Sequence, residues 1–254
     1  MSDCPAEPNP SQWDRHPLDQ VIWRALSGAQ RGFAQGDERA RRYPAAIAPF
    51  AATRDAEPAS LRSLFRLLRT EDRVALFTPE EFRLAATFSV VRRDSAEQMV
   101  LGAAGAPRPP AATAIETLGT ADVPEMLALA AATQPGPFGP RTIELGRYLG
   151  IRRYGALVAM AGERMRFDGF TEISAVCVDP AHRGKGYAAD IVLTLAASIA
   201  ARSETPFLHV FSSNAPAIAL YRKLGFVPRR PMHLAVLVPA EGSPDRSTSN
   251  PPKE

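Results

Sequence analysis

The stretch from Ile173 to Ala189, Ile-Ser-Ala-Val-Cys-Val-Asp-Pro-Ala-His-Arg-Gly-Lys-Gly-Tyr-Ala-Ala, leaves few folds open to this chain. β-Branched and small apolar residues run through Val178, and Asp179-Pro180 then removes a backbone donor and ends the strand. Beyond the turn, Ala188, Ile191, Val192, Leu195 and Ile199 recur at helical spacing. The order is therefore strand, glycine-rich turn, helix N-terminus. Gly184 and Gly186 let backbone N–H groups approach a ligand with no Cβ in the way, and the first helical turn adds unpaired donors and a positive dipole end. Such a turn suits a phosphate or pyrophosphate, and Arg183 and Lys185 set full charges beside it. The same residues also serve a plain strand-to-helix connection.

The downstream segment narrows the choice. A strand over Phe207–Phe211 leads through Ser212-Ser213-Asn214-Ala215-Pro216 into a helix that stops at Leu224-Gly225-Phe226. Asn214 stands where an N-cap belongs, Pro216 is tolerated in a first turn, and Gly225 is placed for a left-handed stop. Val178-Asp179-Pro180, Arg183-Gly184-Lys185-Gly186-Tyr187-Ala188, Asn214, and Tyr221 followed by Gly225-Phe226 together resemble the GCN5-related N-acetyltransferase (GNAT) family. The resemblance covers roughly the C-terminal half and is similar to FR47-like acetyltransferase domains.

The resemblance implies an α/β (α+β) acyl-CoA N-acyltransferase fold, with a central mixed, mostly antiparallel sheet flanked by helices. It implies transfer of an acetyl group from acetyl-CoA to a primary amine, on a small molecule or peptide, by direct attack in a ternary complex without a metal. Main-chain groups of Val176, Cys177 and Val178 are then expected to hold the pantetheine arm. Residues Arg183, Gly184, Lys185, Gly186, Tyr187 and Ala188 hold the diphosphate, and Asn214 bonds the cofactor, caps its helix, or does both. Tyr221 is the expected general acid for the departing thiolate, since a phenol stays protonated at neutral pH. Phe138 and Arg141 border the acceptor pocket by the same likeness.

The base is open. Glu172 opens the central strand, on one face with Ser174 and Val176 by strand alternation, and Glu163 is its rival; both also read as solvated strand-end charges. Cys177 reads as inert strand packing rather than a nucleophile, because no base lies near it in the motif.

At 254 residues the chain exceeds a bare acyltransferase core and suits two modest lobes. A net charge of +3, with scattered basic residues, gives no argument for nucleic acid. Two cysteines, Cys4 and Cys177, and four dispersed histidines form neither a disulfide framework nor a metal-ligand spacing. With no apolar signal core and no bilayer-length run, the expected setting is cytoplasmic and not membrane-bound. Oligomeric state is left open.

Residues 1–17 and 240–254 read as disordered tails, 18–102 as a diverged GNAT-like α/β lobe, 103–112 as a linker and 113–239 as the acetyltransferase domain. Within the first lobe the spacing predicts helices over Leu18–Leu26 and Leu61–Leu68, and strands over Ala45–Ala52, Val74–Phe77, Phe88–Val91 and Glu97–Leu101. Lacking a counterpart of the glycine turn, this lobe either closes the acceptor side or acts as scaffold. Further on come a strand over Thr113–Leu118, a helix from Thr120 to about Ala131, a stiff loop Gln134–Pro140, a short helix over Thr142–Leu149, and strands Gly155–Glu163 and Glu172–Val178. Two other functions fit parts of this pattern. Gly184, Gly186 and Ala189 satisfy a dinucleotide-binding Gly-x-Gly-x-x-Ala, which would make an oxidoreductase, and a non-catalytic acyl-CoA-binding module needs only the cradle.

Overall fold

The computed structural model describes residues 16–81, 87–102 and 114–240. A 3-10 turn leads into α1 (Val21–Ser27), and after it three short strands, β1 (Gln35–Gly36), β2 (Ala40–Arg42) and β3 (Ala51–Thr53), form a small antiparallel sheet of their own. Then come α2 (Pro58–Leu67), β4 (Val74–Thr78), β5 (Phe88–Leu101), β6 (Glu116–Leu118), α3 (Val123–Thr133), β7 (Tyr148–Arg153), β8 (Ala156–Phe167) and β9 (Phe170–Val178). The chain closes with α4 (Tyr187–Ala200), β10 (Thr205–Phe211), α5 (Ala215–Lys223) and β11 (Phe226–Pro239).

Eight strands build the main sheet in the order β4-β11-β5-β10-β9-β8-β7-β6. Every neighbouring pair is antiparallel except β9 and β10, which α4 connects in parallel. A sheet with one parallel pair is not doubly wound, so the Gly-x-Gly-x-x-Ala match has no dinucleotide fold around it. The β7–β8 hairpin turns on Tyr154 and Gly155, both at positive φ (52° and 84°), the two-residue geometry that matches the twist of the flanking strands.

Alternation along β10 shows the layering. Phe207 packs into the cluster of α1, whereas Leu208 and Val210 enter the cluster of α4 and α5. α4 is apolar well beyond a stripe, and Ile191, Val192, Leu195, Ala196 and Ile199 are all fully buried. Each large side chain among them contributes about 1.5–3 kcal/mol of burial. α3 packs on the face opposite α4 through Met126 and Leu129, whereas α2 packs through Leu61, Leu64 and Phe65 with Val74, Leu76, Ala235 and Leu237, which alternate along β4 and β11 with the residues that face α1. No helix among the described residues is long and apolar enough to cross a membrane.

Several expected boundaries move. Phe88–Val91 and Glu97–Leu101 are one strand, β5; the polar run Arg92-Arg93-Asp94-Ser95 between them stays extended because β11 pairs along its whole length. The short helix expected over Thr142–Leu149 is a 3-10 turn, Thr142–Leu145, after which Tyr148 opens β7. Residues 45–47 form a turn, so the strand expected over Ala45–Ala52 shrinks to Ala51–Thr53. α3 begins at Val123 rather than Thr120, because Asp122 Oδ2 accepts from the Gly119 amide (2.7 Å) and fixes a 3-10 turn ahead of the helix. β5 lies between β10 and β11, so strands from before and after residue 102 share one sheet. The expected linker and nearly all of both expected tails lie outside the described residues.

Candidate active site

The site starts with a parting of two strands. β9 and β10 pair at Phe170–Thr205, Thr171–Pro206 and Glu172–Phe207, and no further. From Ile173 on, β9 runs beside β8 alone while β10 runs beside β5. Where they separate, β9 is bulged: Cys177 faces Met160 but Ser174 faces Gly162, so β9 carries one residue more than β8, and Ala175 sits at φ +54°. A bulge leaves backbone groups unpaired and re-aims the side chains beyond it. Ala175 and Cys177 consequently pack with α3, while Val176 and Val178 turn to the α4 side. The uniform alternation that set Glu172, Ser174 and Val176 on one face stops at this residue.

A cavity of about 790 Å³ opens in the gap. Ser174, Ala175 and Val176 form one wall, and Asn214, Ala217 and Tyr221 of the α5 segment form another. The loop Gln134–Phe138 after α3 covers it, and Phe50 and Phe77 reach it from the N-terminal half.

Tyr221 is 8% exposed and packs edge-on against Phe226. Its hydroxyl has no hydrogen-bond partner among the described residues, and burial pushes its pKa up to about 12, so the phenol carries its proton at every physiological pH. Asn214 caps α5, its Oδ1 accepting from the Ala217 amide (3.2 Å), and also lines the cavity. Cys177 is buried, and burial pushes its thiol up to about 11 although Thr133 and the Met160 backbone hydrogen-bond to it. A thiol held so far above neutrality is not a nucleophile.

The glycine turn lies between β9 and α4. Gly184 (φ +76°) and Gly186 (φ +82°) are left-handed, and a Cβ built on either meets nothing within 4 Å. No side chain caps the start of α4, and the amides of Gly184, Lys185 and Gly186 have no backbone partner among the described residues. Open donors above an open hollow fit a diphosphate. The Tyr187 side chain is engaged elsewhere, since its hydroxyl accepts from Arg153 Nε (2.8 Å) and its ring lies under that guanidinium. Arg183 bonds the Val178 carbonyl (3.3 Å), while Lys185 is exposed.

The carboxylates expected as bases are committed elsewhere. Glu172 is fully buried and accepts from Arg164 through both oxygens (2.8 and 2.6 Å), and its Oε1 also lies 2.8 Å from His209 Nδ1. Burial alone would raise its pKa, but the charge and hydrogen bonds of Arg164, with those of His209, outweigh that and hold it at about 2. A carboxylate so reluctant to take a proton is a poor base. Glu163 is buried against Arg202 (3.0 Å) near the end of α4, and it does not line the cavity. His209 reaches the cavity, yet Gln98 Nε2 lies 3.0 Å from its second ring nitrogen. Gln98 donates to the Leu18 carbonyl (2.8 Å) and its oxygen accepts from Arg229 (2.7 Å), which orients its amide to donate to the ring as well. With Glu172 on Nδ1 and Gln98 on Nε2, His209 has no nitrogen left for a substrate.

Phe138 lines the cavity and stacks edge-on against Tyr148. Arg141 does not line it and is tied to Glu144 by two hydrogen bonds (2.6 and 2.7 Å). Arg164, His209, Arg73, Phe50 and Phe77 escape a reading of the sequence because tertiary pairing brings them in. One signal is present: the Asp168-Gly169 turn between two apolar strands puts Arg164 and Glu172 on facing partners of a hairpin.

A family profile described as FR47-like protein matches residues 148–232. The 1.80 Å crystal structure of a protein from Novosphingobium aromaticivorans, named as an acetyltransferase of the GNAT family, is 40% identical with a TM-score of 0.82, over 89% of this chain and 99% of that one. A GCN5-related N-acetyltransferase from Kribbella flavida shares the fold at 18% identity and a TM-score of 0.56, over 88% and 94% of the two chains. So does a tandem GNAT protein from the clavulanic acid biosynthesis pathway, at 16% identity and a TM-score of 0.51, over 77% of each chain. No curated protein sequence matches.

Proposed function

The chain belongs to the GNAT family of N-acetyltransferases, and we propose that it moves the acetyl group of acetyl-CoA directly onto a primary amine, with no covalent enzyme intermediate. One observation carries this reading: the strand gap, the Ala175 bulge and the unpartnered Tyr221 hydroxyl meet at a single cavity. The pantetheine arm lies in the gap against the main chain of Val176, Cys177 and Val178, and the diphosphate lies on the glycine turn. Backbone N–H groups freed at the bulge polarise the thioester carbonyl as an oxyanion hole does.

The amine nitrogen attacks the carbonyl carbon, the C–S bond breaks, and the sulfur leaves beside Tyr221. A phenol at about 12 holds its proton more tightly than a thiol, whose ordinary value is about 8.5. Tyr221 therefore acts first as a hydrogen-bond donor to the departing thiolate. The proton that ends on sulfur is balanced by the one the amine sheds. Among the described residues no Asp or Glu lines the cavity. The amine accordingly arrives as its free base, and the positive lining favours that form.

Release of CoA over pooled classes of primary amine tests the proposal. Turnover with at least one class is expected, and Tyr221→Phe lowers kcat by about 10²-fold while leaving the Kd for acetyl-CoA within about twofold. Acetyl-CoA binding with no release across the panel points instead to a binding module and overturns the catalytic reading.

A further inference from the structure

The cavity's charge is one-sided. Its ionisable lining consists of Arg73, Arg92, Arg164, His209 and Tyr221, with no carboxylate among the described residues. Two of these groups are spent: Arg92 pairs with Asp94 and lies over the Phe211 ring (5.4 Å), and both nitrogens of His209 are engaged. Two guanidinium groups keep donors to spare. Arg164 lines the cavity, is 7% exposed and uses Nε and Nη2 on Glu172, while its Nη1 has no hydrogen-bond partner among the described residues. Arg73 is exposed and has no ion-pair partner among the described residues.

Resting on the acyl-transfer reading, we propose that the acceptor carries a carboxylate beside its reactive amine, and that Arg164 and Arg73 bind that carboxylate. A purely cationic acceptor, such as a polyamine, would meet positive charge here with no anion to answer it. An amino acid supplies the missing anion and sends its amine toward the thioester. The coenzyme's diphosphate does not account for these arginines, since no residue of Arg183 to Tyr187 lines this cavity. A monoanion suits the site better than a phosphate dianion, because Glu172 already offsets the charge of Arg164. Phe50, Phe77, Phe138 and Leu234 add apolar walls fitted to an acceptor with an apolar body.

The test uses the full chain and acetyl-CoA, with CoA release measured for amino acids and for the amines left when each is decarboxylated. Rates are expressed per concentration of free base, so that differences in amine pKa drop out. The amino acids are expected to be better by about 10- to 100-fold in kcat/KM. Arg73→Gln should reduce that ratio by about tenfold, with the calorimetric Kd for acetyl-CoA unchanged. Equal or better turnover of the decarboxylated amines overturns the proposal and leaves acyl transfer standing. A weakened acetyl-CoA Kd in Arg73→Gln with the ratio intact assigns Arg73 to the cosubstrate, and also overturns it. Release from neither set removes the acyl-transfer reading and this one with it.

Discussion

Replacing Glu172 by Gln separates a structural carboxylate from a catalytic one. In the fold this side chain is fully buried and anchors Arg164 and His209. The interval between an ordinary carboxyl value of 4.5 and about 2 corresponds to about 3 kcal/mol at about 1.4 kcal/mol per pH unit. Because the folded value lies below the unfolded one, this contribution is complete above pH 4.5 and is lost as pH falls toward 2. Leaving the Arg164 guanidinium buried without its anion gives a similar figure, about 3–5 kcal/mol. Urea unfolding should therefore show Glu172→Gln less stable by about 3 kcal/mol at pH 7, with a midpoint of thermal unfolding lower by about 10 °C. The difference from the wild type should shrink steadily in titrations carried down toward about pH 2.5. At a temperature where the variant stays folded, kcat should fall by less than about tenfold, against the 10²–10⁴ that removal of a general base costs. Unchanged stability at pH 7 together with a hundredfold loss of kcat would refute this reasoning and restore Glu172 as the base.

Gly186→Val adds a side chain to open space but at φ +82°, so it should cost only about 1–2 kcal/mol of stability while raising the Kd for acetyl-CoA more than tenfold; calorimetry showing unchanged affinity would move the diphosphate elsewhere. Cys177→Ala should retain kcat within a few-fold, because a thiol pushed up to about 11 takes no part in the reaction; an inactive but folded variant contradicts that. With no carboxylate in the cavity among the described residues, log kcat/KM should climb with unit slope up to the acceptor's own amine pKa and then level off, with no limb near about pH 4–5. A limb in that range that stays fixed when the acceptor is changed would reveal an enzyme base.

What can be read from the sequence is local in the chain. The glycine turn, the Asn214 cap and Tyr221 each sit in a segment of a few residues whose own chemistry dictates its shape. Arg164 and Glu172 are eight residues apart across a hairpin and read as separate charges, because pairing depends on register. The Ala175 bulge leaves no trace in composition, since alanine rarely adopts a positive φ and only the mismatch with β8 requires it. The first two residues of β7, Tyr148 and Leu149, pass for the end of a helix in the sequence because the apolar run there has no period long enough to choose. Gly150 has a tertiary reason: a Cβ there would come within 2.7 Å of Leu157 and 2.8 Å of Leu118. The share of the N-terminal half in the sheet is equally hidden, because β5 meets β10 and β11 only after a long intervening stretch of chain.

The place of β11 between β4 and β5 bears on how the protein is made. During synthesis β4 and β5 emerge well before the strand that joins them, which follows only after β6 to β10 have been made. Until residues 226–239 arrive, two unsatisfied edges wait for a partner, an opening for neighbouring nascent chains and a natural docking point for a chaperone. A stop codon just before Phe226 would thus take away the keystone of the sheet, and the product should accumulate in inclusion bodies even though its glycine turn and Tyr221 are intact.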